Sequence, residues 1–186
     1  MMIDPLVAES KQGTALMKSA TLPGIKLSSS DSEVVRDYII SHQDHSAYHL
    51  LFALRRHALD AYRQVPNATK ALVSADALGH QAYLNDWGYL DPSGSHDGEA
   101  AQTLLQLGHD ALPPLIPLLD DSRPASLFGS EQAALNSMYN YRRKDFAYRY
   151  LALLMGRQPA FDADPRARDA EIERFKSSVL KARTQS

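Results

Sequence analysis

GEAAQTLLQLGHDALPPLIPLLDD, Gly98 to Asp121, is the stretch on which the fold reading turns. Ala101, Leu104 and Leu105 recur along one helical face, Asp97 stands ahead of them as a cap, and Gly108 is placed as the stop. Glycine suits a stop because it enters left-handed backbone without a Cβ clash. Beyond a tight turn, Asp110 can cap a second helix. Pro113 is tolerated in its first turn, and Leu112, Leu115, Ile116 and Leu119 form its buried stripe up to Asp120–Asp121. Pro117, lacking a backbone N–H, predicts a kink there. Two short amphipathic helices each keep an apolar stripe that the pair alone cannot cover, so further helices are expected on both sides.

Working toward the N-terminus, the loop from Leu84 to Gly98 is the longest internal interruption. Before it, Ala68, Ala71, Leu72, Ala75, Leu78 and Ala82 predict an interior helix capped by Asn67, its small residues allowing close approach of a neighbour. Tyr48, Leu51, Leu54, Ala58 and Tyr62 predict one helix from an Asp44 cap to Pro66. Ser30 with Glu33 reads as a capping box for a helix carrying Val34, Val35, Tyr38 and Ile39, ending near His42. Residues 1–29 read as a flexible or partly helical arm. Toward the C-terminus, helices are expected over Glu131 to Tyr139 and over Arg142 to Met155, with Phe146, Tyr150, Leu153 and Leu154 inward and Gly156 as the stop. A last helix starts at Asp164–Pro165 and buries Ile172, Phe175 and Val179. Strand alternation nowhere persists beyond a few residues. The expectation is an all-α chain, with one helical domain over residues 30–186.

The segment Gly98 to Asp121 resembles a HEAT repeat, with Ala-Ala and Leu at helical spacing, Leu-Gly at the end of the first helix, then Ala-Leu-Pro and a second helix ending in Asp-Asp. A fainter similarity lies in RKDFAYRYLALLMG, Arg143 to Gly156, where Arg143, Asp145, Ala147, Leu151, Leu154 and Gly156 fall where HEAT-type first helices carry such residues. Gly108 and Gly156 lie 48 residues apart, slightly beyond the roughly 40 to 47 residue period of such repeats. The resemblance implies a short, irregular α-α superhelix. HEAT-like proteins mostly bind macromolecules along a concave face, and some members of this broad group are DNA glycosylases or bilin lyases.

Composition narrows the function classes. The 186 residues are 44% hydrophobic and 23% charged with a net charge of −2, an ordinary balance for a foldable domain with no general attraction for polyanions. The absence of cysteine removes disulfides, thiolate metal sites and a cysteine nucleophile. No leader-like segment and no run of 18 apolar residues is present. A cytoplasmic chain without membrane contact or cofactor is therefore expected.

Several constellations are candidates for chemistry. His42, His45 and His49 approach one helical face, and His45–His49 has the i, i+4 spacing of helical metal ligands, although no glutamate stands between them to serve as a zincin-type base. Ser95-His96-Asp97 reads as a turn and cap, since three successive side chains do not converge as a triad. Asp120–Asp121 reads as a solvated helix end. Trp87 with Tyr89 is a candidate binding anchor, against the plainer alternative that Trp87, Leu84 and Leu90 plug their loop onto the helices. From Arg142 to Ser186 there are 11 basic and 6 acidic residues, against 9 and 16 from Met1 to Tyr141. Arg142, Arg143, Lys144 and Arg149, interleaved with Tyr139, Tyr141 and Tyr148, form a basic aromatic cluster suited to an acidic protein or a phosphate backbone, against the plainer alternative that several of these cations are solvated or pair with Asp145 and neighbouring acids. The leading expectation is non-catalytic protein binding through this cluster, with nucleic acid a weaker fit to so modest a charge. The alternative is an enzyme on the same scaffold, metal-assisted through His45 and His49 or acting on nucleic acid through Arg142 to Arg149.

Overall fold

Every regular element among the described residues is helical. The computed structural model describes residues 27–90, 98–159 and 161–183, and the chain divides into two compact units, residues 1–82 and 83–186. The proposed N-terminal arm lies outside the described residues up to position 26, as do Ser95, His96 and Asp97.

In the first unit, α1 spans Ser29–Ser41. Its cap is Ser28 rather than Ser30: Asp31 N–H donates to Ser28 Oγ (3.2 Å) and Ser28 N–H to Asp31 Oδ2 (3.3 Å). The run of serines offers two such boxes, Ser28 with Asp31 and Ser30 with Glu33, and the earlier one is used. His42 ends the helix, as expected. Asp44 caps a 3-10 turn, His45–Ala47, by accepting from Ser46 N–H at 2.8 Å, and the turn runs directly into α2, Tyr48–His57. The single helix expected to reach Pro66 is broken at Ala58 (φ −148°, ψ 65°), which separates α2 from α3, Leu59–Gln64. The break leaves Arg55, Arg56 and His57 in a helix C-terminal turn, where positive charge suits the dipole.

The interior helix is α4, Asn67–His80. Pro66 takes the cap position, since its extended backbone already aims its carbonyl at Lys70 N–H (3.0 Å). Ala71, Ala75 and Leu78 are buried as expected, but Leu72 is exposed, while Thr69, Val73 and Ala77 are buried in addition. α4 packs against both α2 and the 3-10 turn, and α1 packs against α2 and α3, so α4 is enclosed over more than one stripe.

In the second unit, a 3-10 turn at Asn85–Trp87 packs on α5, Glu99–Gln106. Gly98 caps α5 and lies so close to Asp86 that a Cβ would meet its carbonyl oxygen at 2.1 Å. Gly108 (φ +59°) makes the expected turn. The following segment is a 3-10 turn, Gly108–Ala111, then α6, Leu112–Leu115, then a second 3-10 stretch, Ile116–Asp120. The change of helix type at Ile116 accompanies Pro117, which cannot donate an α-helical hydrogen bond. α7 is Ser130–Tyr139, α8 is Arg143–Leu154 and α9 is Pro165–Arg183. Gly156 (φ +70°) follows α8, and Asp164 Oδ1 accepts from Arg166 N–H (2.9 Å) at the start of α9. α8 packs on α5, α6, the Ile116–Asp120 stretch and α9, and is the centre of this unit. Phe146, Ala147, Tyr150 and Leu151 of α8 are buried, with Ile172, Phe175 and Val179 of α9.

One irregular segment alternates in burial. From Pro124 to Phe128, Ala125 and Leu127 are buried while Ser126 and Phe128 are exposed, the two-residue period of a strand. Pro124 forms an isolated antiparallel bridge with Arg142, and Ala125 N–H donates to Tyr141 C=O (2.9 Å).

Candidate functional site

The basic cluster is organised by the start of α8. Asp145, three residues into the helix and wholly buried, accepts from Arg142 N–H (2.9 Å) and from the Arg142 guanidinium (Nη2, 2.9 Å), and Arg168 Nε approaches it at 3.3 Å. Asp169 on α9 takes both Arg142 Nη1 (2.8 Å) and Lys144 Nζ (2.9 Å). Burial pushes the Asp169 carboxyl up, but the Lys144 hydrogen bond and the Arg142 and Lys144 charges outweigh it, so its pKa falls below the ordinary carboxylate value. Arg143 is buried, and that burial, with the nearby Arg123 charge, lowers its pKa. Arg168 donates to four carbonyls, of Tyr139 (2.6 Å), Asn140 (3.2 Å), Asp162 (2.7 Å) and Ala163 (3.2 Å). It ties the left-handed end of α7 at Asn140 to the entry of α9.

The Trp87 loop is held by the same helix. Trp87 is fully buried, edge-on to Tyr150 with centroids 6.0 Å apart, and Leu84 and Leu90 are buried beside it in the chain. Tyr150 Oη donates to the Trp87 carbonyl and Arg149 to the Tyr89 carbonyl. Burial raises the Tyr150 pKa, so the phenol stays a donor. Trp87, Arg143 and Arg149 are therefore inside the second unit, and Arg142 and Lys144 are engaged by acids of α8 and α9. The cluster offered by the sequence as a partner-binding surface is engaged within the unit, by the neighbouring Asp145 and by the distant Asp169 and Tyr89 carbonyl.

A different surface stands out. Asn85 pairs its side-chain amide with the Phe128 backbone in both directions, Nδ2 donating to the carbonyl and Oδ1 accepting from N–H, each at 2.7 Å. The clasp fixes the backbone while the Phe128 residue stays 50% exposed, its ring edge-on to Tyr83 at 5.7 Å. Met138 is also exposed, at 62%. Nothing local in the sequence marks the partner of Asn85, 43 positions away.

In the first unit, the histidines regroup. His49 is half-buried and lies edge-on to Tyr48 (5.1 Å), and His42 stacks on Tyr38 (3.9 Å). His45 instead meets Asp76 and His80 of α4. The i, i+4 spacing that points to paired ligands is present, but in Asp76–His80 rather than in His45–His49. Lys70 is buried with Nζ 4.3 Å from the Tyr62 ring centroid and 3.3 Å from Asn67 Oδ1, and burial lowers its pKa. Among the described residues no helix is long and apolar enough to cross a membrane.

No protein-family model, curated protein or solved structure matches the chain.

Proposed function

We propose that the chain is a non-catalytic, protein-binding module of HEAT-like helix pairs, with the Phe128 ring and its Tyr83 neighbour as the contact surface. The observation that carries this reading is the Asn85 clasp. An exposed aromatic side chain on a backbone hydrogen-bonded at both N–H and C=O loses little entropy on binding and buries a large apolar area. The HEAT-like part of the reading is supported by α5 with its turn at Gly108 and the helical segment ending at Asp120, and by α8, beyond α7 in the chain, which packs on both. A partner with an apolar pocket, rather than an acidic face, is the expected complement, since the basic side chains of α8 are already engaged within the unit.

The test is capture from a lysate of the native host with wild type and Phe128→Ala, followed by reconstitution of any stoichiometric complex from purified components. A binding module using this surface loses the partner in Phe128→Ala, at least about tenfold in affinity for an aromatic anchor, while circular dichroism stays unchanged. Equal binding by the two proteins rejects the surface.

A further inference from the structure

We infer that His45, Asp76 and His80 form a binding site for a divalent first-row transition-metal ion, independent of the protein-binding reading and located in the first unit. The three ligand atoms lie within 4.8 Å of one another. His45 Nδ1 is 2.7 Å from Asp76 Oδ2, His80 Nδ1 is 3.2 Å from Asp76 Oδ1, and the two imidazoles stack at 4.4 Å with an interplanar angle of 17°. One carboxylate thus faces two ring nitrogens, one through each oxygen.

Bond lengths decide whether an ion fits. With ligand bonds of about 2.0 to 2.1 Å, neighbouring donors around one ion stand about 2.9 Å apart in a square or octahedral arrangement and about 3.4 Å apart in a tetrahedral one. The two nitrogen–oxygen separations, 2.7 and 3.2 Å, bracket the first of these. The remaining adjustment falls to the imidazoles, which are about half exposed, and includes turning His80 Nδ1 away from the Asp76 carbonyl 2.9 Å from it.

The donors are held on firm backbone. Asp76 lies between Ala75 and Ala77, both buried, and His80 follows one turn later on the same helix. His45 is fixed by its own N–H, which donates to Asp76 Oδ2 at 2.7 Å, and by the buried Ser46 and Ala47 that follow it. Preorganised donors from two segments 31 residues apart are what distinguishes a site from a chance pair of side chains.

Two imidazole nitrogens and one carboxylate group form a borderline donor set, suited to Zn²⁺, Ni²⁺ or Cu²⁺ and poor for Mg²⁺ or Ca²⁺, which favour oxygen ligands. Three protein ligands at a partly exposed position leave further coordination positions for water or for a donor from another molecule.

The experiment is calorimetric titration of the untagged, EDTA-stripped full chain with Zn²⁺ alone, Ni²⁺ alone and Mg²⁺ alone. One equivalent of Zn²⁺ or Ni²⁺ is expected, with Mg²⁺ giving no heat. His80→Gln should weaken binding at least about tenfold, and His49→Gln should leave it unchanged. Asp76→Asn also weakens the contact with the His45 backbone by removing the charge and one acceptor oxygen, so the His45→Gln/His80→Gln pair, made at exposed side chains, is the decisive variant. Absence of Zn²⁺ and Ni²⁺ binding up to millimolar concentration overturns the inference, as does unchanged affinity in that double variant or a loss in His49→Gln.

Discussion

Each unit of the molecule places one carboxylate between two cationic or potentially cationic side chains, and the two clusters differ chiefly in burial. Asp145 is wholly buried between Arg142 and Arg168, whereas the Asp76 side chain is 33% exposed between His45 and His80. A buried carboxylate must recover its lost hydration from partners, and Asp145 does so with two guanidiniums and a helix N-terminal amide. Its partners are thereby committed to the fold. The Asp76 cluster remains hydrated, so its internal contacts stabilise the unit little and its nitrogens stay accessible to an incoming ion. Similar side-chain chemistry belongs to the architecture in one unit and to a binding site in the other.

The largest expected effect breaks the buried cluster. Asp145→Ala leaves the Arg142 and Arg168 guanidiniums facing each other without their common anion and removes the α8 cap. It should cost about 3 to 5 kcal/mol in urea unfolding; a loss below about 1 kcal/mol would mean the network is not closed as described. A smaller effect is expected on acidification. Asp169 has a depressed pKa in the folded state, so its contribution is present above the unfolded carboxylate pKa, near 3.9, and is lost as pH falls through the folded value. Asp169→Asn should therefore flatten the acid limb of the stability profile and leave its slope above pH 6 unchanged. The smallest effect is expected in the exposed cluster. Without metal, His80→Gln should shift stability by no more than about 0.5 kcal/mol, measured by the same denaturation. A cost as large as that of Asp145→Ala would erase the distinction between the clusters.

What the sequence disclosed was local. Asp164–Pro165 marks the start of α9 with a cap and a preset φ, and Gly108 and Gly156 mark turns because both adopt positive φ. The helical periods of Phe146 and Tyr150, and of Ile172, Phe175 and Val179, identify core faces without knowledge of their partners. Most of the unread features depend on distant pairs. For Arg142 to Arg149 the pairing with Asp145 was open to reading three residues away, whereas Asp169 and the Tyr89 carbonyl are remote in sequence. His45 points to His49 by spacing, while its actual partners are 31 and 35 positions on, in a helix the sequence recognised only for its small residues. Ala58 breaks a helix without glycine or proline to announce it.

The Asn85 clasp has one more effect, on an open backbone edge. Pro124 to Phe128 alternates like an edge strand, and such an edge offers open backbone groups to any other chain. Here Pro124 lacks an N–H, Leu84 N–H takes the Ser126 carbonyl (2.9 Å), and the Asn85 amide occupies both polar groups of Phe128. A side chain thus occupies the backbone groups that a neighbouring strand would otherwise pair.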